Sequence, residues 1–447
     1  MNKSIKYLLL CYIGIAMFAA MLLTLPFSHT EKIDFLDAFF TAVSALTCTG
    51  LIIKDTALDF THIGHGILLF LVQLGGFGYM TMLGLIYILL RKRLGNAEKN
   101  MLKEALNHHS YDNLMGFIKQ ILIYVVIIES IGAILLSIDF GIRFGIKEGI
   151  WYGVFHAVSA FNNAGLSIFP DSFIGFRDDI LVNVVICALV ILGGIGYICL
   201  AELHFFLKSK IHKKQQNFRF SFHFKVVMYS NLFLWLVGAL IVLILEWDNQ
   251  GTFKSFDFFE KIMVSLFTSV NYRSAEFVTY DISNLHVSTL FFSAIFMFIG
   301  NAPGGTSGGI KINTIAVLFA FLRSILNNSE PYLFKRTLFQ SDVQKALIIF
   351  TFASFYFLIV SLLLAILEPH IEFFNLAFEA CSALFNGGIS TGDGGILSLS
   401  TKFGSISKIL IIASMILGKI GVMLFTLALF GRSKISRIQY IKEKIIL

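Results

Sequence analysis

Four stretches of this chain read as variants of one another: FTAVSALTCTG (Phe40 to Gly50), FHAVSAFNNAG (Phe155 to Gly165), LFTSVNYRSAE (Leu266 to Glu276) and FEACSALFNGG (Phe378 to Gly388). Each is followed by an apolar residue, Leu51, Leu166, Phe277 or Ile389. A second signature comes 24 to 30 residues later in each case: LGGFGY (Leu74 to Tyr79), LGGIGY (Leu192 to Tyr197), IGNAPG (Ile299 to Gly304) and LGKIGV (Leu417 to Val422). Two signatures recurring in one order define an internal repeat of four units. The segments carrying the first signature, roughly 35 to 50, 149 to 165, 257 to 276 and 373 to 388, are too short and too often closed by Gly or Asn to cross a bilayer. They read as re-entrant hairpins.

Longer apolar segments flank them, at about 7 to 27, 63 to 90, 117 to 138, 180 to 207, 224 to 245, 287 to 322, 346 to 367 and 407 to 430. Each reaches the ~20 apolar residues that a helix needs to span hydrocarbon. The predicted fold is therefore an all-α integral membrane protein: eight transmembrane helices in four span, re-entrant pore hairpin, span repeats around a pseudo-fourfold ion pore. The units run 1–95, 96–210, 211–325, with a glycine-rich break at 300–310, and 326–447, which includes a cytoplasmic tail. Composition agrees: of 447 residues, 56% are hydrophobic and 14% charged, with a mean hydropathy of +0.79. Such values exclude a water-soluble enzyme or a disordered chain. The net charge of +7 is read by loop rather than as a nucleic-acid footprint. The termini and the loops near 91 to 119, 208 to 225 and 323 to 345 hold 23 Lys and Arg, and the complementary loops hold ten. Both termini are therefore predicted on the cytoplasmic side. The apolar run after Lys3 and Lys6 exceeds the core of a signal peptide and reads as the first span. Cys11, Cys48, Cys187, Cys199 and Cys381 form no Cys-x-x-Cys pair and read as small apolar packing residues.

Irregular backbone at membrane depth persists only where it is buried in protein or lines a watery cavity. Four equivalent hairpins would line one. A short helix entering from outside brings a C-terminal end worth about half a negative charge toward the bilayer centre, and four of them attract a cation. The chain then returns through Thr47-Cys48-Thr49-Gly50, Asn162-Asn163-Ala164-Gly165, Arg273-Ser274-Ala275-Glu276 and Phe385-Asn386-Gly387-Gly388. Carbonyls of these segments can replace a hydration shell, and Gly accepts the positive φ that such a turn requires.

These residues resemble the Trk/Ktr/HKT superfamily of potassium transporters, most closely the bacterial Ktr-type membrane subunit, over essentially the whole chain. The carrying motifs are SALTCTGL (44 to 51), SAFNNAGLS (159 to 167), IGNAPGGTSGGIK (299 to 311) and SALFNGGIST (382 to 391). The resemblance maps the family's filter glycines onto Gly50, Gly165 and Gly388. It implies potassium bound by filter carbonyls, uptake across the bacterial plasma membrane, often with sodium as activator, and a homodimer with one pore per subunit. It also implies a cytoplasmic nucleotide-binding regulatory ring as partner, with no cofactor in this chain. By the same resemblance Gly300, Asn301, Ala302, Pro303, Gly304, Gly305, Thr306, Ser307, Gly308 and Gly309 look like the intramembrane gating loop. Lys419, in the slot of Gly76 and Gly194, resembles the family's basic residue beneath the filter. Five glycines from Gly300 to Gly309 preclude a stable helix there, at ~1 kcal/mol each relative to Ala. The loop is then a movable barrier, or else a static kink. Lys311 and Lys419 face a cavity or snorkel to the inner interface. The LGGFG and LGGIG motifs are expected to serve close helix packing.

The third hairpin departs from the pattern, since Glu276 stands where the family carries its third filter glycine. A non-Gly residue at positive φ costs roughly 1 to 2 kcal/mol. Two expectations follow. Either the carboxylate alters or blocks conduction, making a sodium-permeable or impaired homologue, or it points into the outer vestibule, pairs with Arg273 and leaves conduction intact.

Other chemistries fit the sequence less well. Gly305-Thr306-Ser307-Gly308 matches the G-x-S-G of intramembrane serine proteases, but His286 and His370 lie at span ends and His204 near the cytoplasmic side. Ile310 stands where a phosphate-binding loop needs Lys, and Ser390 denies Gly392-Asp393 an aspartyl-protease motif. A coupled secondary transporter usually shows two repeats rather than four. His108, His109 and His212 sit in basic loops without metal-ligand spacing, and those loops suit acidic lipid heads or a docked ring.

Overall fold

The computed structural model describes residues 3–78, 114–212, 218–273, 275–392 and 397–421. Ser274, Asp393, His108, His109, the distal part of the 63 to 90 and 407 to 430 segments and the basic tail lie outside the described residues.

The described chain is mostly helical: α1 Lys3–Leu23, α2 Phe35–Thr47, α3 His62–Gly76, α4 Leu114–Phe144, α5 Ile146–Phe161, α6 Ile180–Gly194 and α7 Tyr197–His212. Then follow α8 Phe222–Glu246, α9 Phe258–Asn271, α10 Val287–Phe298, α11 Ile312–Leu326, a two-stranded turn, α12 Gln340–Leu367, α13 Phe373–Phe385 and α14 Ser405–Ile420. Polar caps start several of them. Thr61 Oγ1 accepts from Gly64 N, Asp179 Oδ1 from Val182 N and Ser221 Oγ from Phe224 N, while Asp257 and Glu260 form a reciprocal capping box.

Gly116–Phe144, α8 and α12 are each long and apolar enough to cross a membrane, and only 22% to 28% of their most apolar stretch is buried. Ile131, Phe233 and Leu362 stand out from these helices with no protein against most of their surface. A helix apolar on its outward face needs an apolar solvent, which hydrocarbon supplies.

The segment from 180 to 207, expected as one span, is instead two helices meeting at 109°. Ile195 and Gly196 form the corner, and Gly196 has φ +86°, a conformation no helix continues. Its counterparts Gly78 (φ +67°) and Gly421 (φ +93°) take the same conformation in the first and last units. The third glycine of the motif is therefore a helix breaker, a role beyond the close packing expected of it. The first glycine is the packing one. A Cβ on Gly75, Gly193 or Gly418 would run into the backbone carbonyl of Leu46, Phe161 or Leu384, at the end of the short helix of its own unit. In the third unit the helix stops at Phe298 and resumes at Ile312.

Neighbouring units join by one rule. The helix after each hairpin packs on the next unit's short helix: α3 on α5, α6 on α9 and α10 on α13. The last, α14, returns to α2 of the first. Lys408 of α14 pairs with Asp37 of α2 at 2.7 Å, and Ser398 Oγ donates to the Ile52 carbonyl at 2.9 Å.

Candidate functional site

Three of the four short helices, α2, α5 and α13, end in turns of one kind. The serine of each S-A pair offers its carbonyl five residues on, to Thr49 N (2.9 Å), Ala164 N (2.9 Å) and Gly387 N (2.8 Å). This backbone closure caps the helix and requires a left-handed residue just before it. Cys48 (φ +49°), Asn163 (φ +54°) and Asn386 (φ +51°) occupy that position. Two residues later Gly50 (φ +72°), Gly165 (φ +62°) and Gly388 (φ +60°) are left-handed again. The third hairpin closes differently. Ala275 N and Glu276 N both reach the Asn271 carbonyl, at 3.0 and 3.4 Å, and Glu276 itself holds φ +61°.

These ends converge. A Cβ on Gly50 would stand 2.7 Å from the Ala164 carbonyl oxygen, and one on Gly165 2.7 Å from that of Ala275. On Gly388 it would overlap the Thr49 carbonyl oxygen. All three would also strike the Glu276 side chain. Glu276 thus occupies the space that the three glycines leave between them. It is 7% exposed, and neither carboxylate oxygen has a hydrogen-bond partner among the described residues. Outward of it opens a cavity lined by Asp55, Ser167, Ser172, Ile282 and Ser390.

The expected pairing with Arg273 does not occur. Arg273 is fully buried and turns inward, with Nε donating to the Ile299 carbonyl (3.1 Å), Nη2 to the Gly300 carbonyl (2.7 Å) and Nη1 to Asn231 Oδ1 (2.6 Å). Its charge is spent on the loop beneath the hairpins rather than on Glu276.

That loop, from Ile299 to Lys311, is cross-braced. Gly300 N donates to the Ile310 carbonyl (2.9 Å) and Ile312 N to the Asn301 carbonyl (3.1 Å). Ala302 N and Thr306 N donate to the Gly194 and Gly193 carbonyls freed where α6 breaks, and Tyr197 N returns to the Gly304 carbonyl. A Cβ on Gly305 would crowd the Gly194 carbonyl, and one on Gly308 the Asn386 amide. Pro303 presents its carbonyl to Gly196, and Gly309 needs its φ of +78°. Lys419 Nζ donates to the Thr306 carbonyl and Lys311 Nζ to that of Ser307 (2.6 Å). Both lysines therefore end on this loop rather than at the inner interface. Three cations hold it through its carbonyls. Among the described residues Ser307 Oγ is buried and meets no base that could activate it as a nucleophile.

Buried polar groups brace the hairpins, and His156, Glu379 and Glu129 among them escaped the sequence reading. The second residue of the repeated stretch is Thr41, His156 or Glu379 in three units. His156 Nε2 meets Ser167 Oγ at 3.0 Å, and Glu379 accepts from Ser390 Oγ (2.5 Å) and Ser400 Oγ (2.6 Å). His156 and Glu379 each tie a short helix to the chain beyond its glycine, whereas Thr41 Oγ1 donates to the Asp37 carbonyl within its own helix. Asn163 Nδ2 donates to Thr306 Oγ1 at 2.6 Å, and Asn386 Nδ2 donates to Thr49 Oγ1. Thr47 and Thr49 hydroxyls meet at 2.7 Å, and Asn162 Nδ2 donates to Glu129 (2.9 Å). The signal was available, since a polar residue recurred amid apolar ones.

The family described as TrkH, cation transport protein, matches residues 11–435. Ktr system potassium uptake protein B of Bacillus subtilis is 33% identical over 94% of this chain and 91% of its own length. Ktr system potassium uptake protein D of the same organism is 34% identical over 96% and 94%. The potassium/sodium uptake protein of Enterococcus hirae is 30% identical over 96% and 94%. Among solved structures, the potassium transporter TrkH of Vibrio parahaemolyticus superposes with a TM-score of 0.68 at 18% identity, covering 95% of this chain and 83% of the other.

Proposed function

The chain belongs to the TrkH family of cation transport proteins, a family of transporters and not of enzymes, and we propose from that premise that it is the ion-translocating subunit of a potassium uptake system. Its cation is potassium, moving down its electrochemical gradient through the opening between the four hairpin ends. The observation carrying this reading is the convergence of Gly50, Gly165 and Gly388, all at positive φ, with the carbonyls of Thr49, Ala164 and Ala275 beside them. Carbonyl dipoles at close quarters replace a hydration shell. The names of the relatives from Bacillus subtilis support potassium as the ion.

In this reading the four units form eight spans about a pseudo-fourfold axis, supported by the closure of α14 onto α2. The loop 299–311 is the gate, with Lys311 and Lys419 as its latches, supported by their contacts to Ser307 and Thr306. The protein works as a homodimer in the bacterial plasma membrane with both termini cytoplasmic. It is gated by a nucleotide-binding ring docked on the basic loops and is activated by sodium. Relatives named as parts of a Ktr system support such a partner.

A second reading, of sodium permeability or impaired conduction, is favoured by one observation: Glu276 fills the opening with an unpartnered carboxylate. The deciding experiment is potassium-limited growth and rubidium uptake in bacteria lacking their own uptake systems, with a compatible ring subunit, for the native chain and Glu276→Gly. Equal rescue supports the potassium reading. Rescue by Glu276→Gly alone, with both forms in the membrane, supports the second. Failure of both, with both present and folded, refutes this as a potassium path.

A further inference from the structure

The Glu276 carboxylate sits in an environment that is chemically one-sided. Its neighbours across the opening are the glycine backbones of Gly50, Gly165 and Gly388 and the carbonyl oxygens of Thr49, Ala164 and Ala275. Carbonyls accept and do not donate, and no described N–H or O–H reaches either carboxylate oxygen. A buried anion facing only other acceptors is costly by several kcal/mol and is neutralised either by a cation bound directly to it or by a proton. We infer that Glu276 and these three carbonyls form one all-oxygen site at which an alkali cation and a proton compete. The inference rests on the reading of this opening as the ion path and adds what occupies it.

The donor set fixes the ligand class. Carboxylate and carbonyl oxygens are hard ligands, suited to alkali and alkaline-earth ions and not to zinc or copper. A single carboxylate supplies one negative charge, and Lys419 lies within electrostatic range of it, so a monovalent ion fits the charge balance better than a divalent one. Other groups facing the carboxylate are few. Cys48, at the end of α2, is the remaining titratable neighbour. Asp55 lines the outer cavity. Arg273 of the same hairpin is committed inward to Ile299, Gly300 and Asn231. Behind α5 and α13, His156 and Glu379 are held by Ser167, Ser390 and Ser400. None of these gives the carboxylate a donor.

Where the Glu276 carboxyl is protonated before the cation arrives, binding ionises it and releases that proton, so one proton leaves per cation bound; where it is already ionised, none leaves. The test is equilibrium binding of radioactive rubidium and sodium to the purified full-length protein across a series from about pH 9 to about pH 5. Proton release into weak buffer is recorded on adding potassium or sodium chloride, with choline chloride as blank. For the native chain, affinity is expected to weaken as pH falls, by up to about tenfold per unit once the proton occupies the site, with proton release matching the cation bound. Glu276→Gln, equal in shape but unable to ionise, and Glu276→Gly should both bind without pH dependence and without proton release. Native binding that is indifferent to pH, or a slope retained in Glu276→Gln, overturns the inference and leaves the ion path standing. Binding by Glu276→Gly alone overturns it equally. If no form binds either ion while all elute as the native species, the ion-path reading itself fails.

Discussion

In the fourth hairpin the turn runs through Asn386, Gly387 and Gly388, and in the third through Ala275 and Glu276. The fourth closes on the serine five residues back, as the first and second do, and its left-handed positions are held by Asn and Gly. The third closes on Asn271 and puts a glutamate at φ +61°. Local preference opposes that conformation by roughly 1 to 2 kcal/mol. The backbone nevertheless follows the path of its neighbours, because Arg273 anchors the hairpin from below through three acceptors. The shape of the opening is thus set by the ring around it more than by the residues on its rim, and the residue type decides what fills it.

The largest expected effect comes from removing that anchor. Arg273→Ala leaves Asn231 Oδ1 and two carbonyls buried without a donor, and should destabilise the protein by about 3 kcal/mol or more, read as a large drop in thermal unfolding temperature in detergent. If stability is unchanged, the third hairpin does not depend on its guanidinium. Next is Gly388→Ala, which places a Cβ on the Thr49 carbonyl and Glu276. Rubidium uptake should fall by about tenfold or more, because the clash with the rim adds to the roughly 1 to 2 kcal/mol of left-handed strain. Ala at Gly304, equally left-handed at φ +72° but with open space around it, should cost less. Equal losses at the two sites would mean that strain alone, and not the crowded rim, governs the effect. Lys419→Met removes one of three cations from the loop, and uptake without the proposed regulatory partner should rise about fivefold, the scale of one ~1 kcal/mol hydrogen bond. Unchanged basal uptake would take Lys419 out of the latch. Smallest is Ser390→Ala, which loosens the tie to Glu379 while Ser400 still holds it, costing about 1 kcal/mol with uptake nearly intact.

Much of this was legible in the sequence because it repeats. The four hairpins, the helix interruption after Phe298 and the odd third rim position all follow from aligning the chain with itself. What escaped were features set by contacts between units. The corner at Gly196 could not be told from a continuous apolar run, since Ile195, Tyr197 and Leu200 are as apolar as any span, and only the loop from 299 to 311, docking on Gly193 and Gly194, explains why the helix turns. Arg273 drew the obvious partner, three residues away in sequence. Its real acceptors are 26, 27 and 42 residues distant. Nothing in the sequence singled out His156 and Glu379, whose partners lie on the extended segments beyond Gly165 and Gly388 that fold back onto them.

The closure of α14 onto α2 carries a consequence for synthesis. Asp37 and Lys408, which pair across it, are separated by 371 residues, so during translation the first three units leave the ribosome with their ring unclosed. Contacts of such long sequence separation form late. If the ions pass between the four hairpin ends as proposed, a partly made chain lacks one wall of the path, and a ribosome that stalls before the fourth unit should leave no leak in the membrane. A chain ended after α12 should insert and yet pass no rubidium, and co-expression with the missing fourth unit as a separate piece should restore the flux.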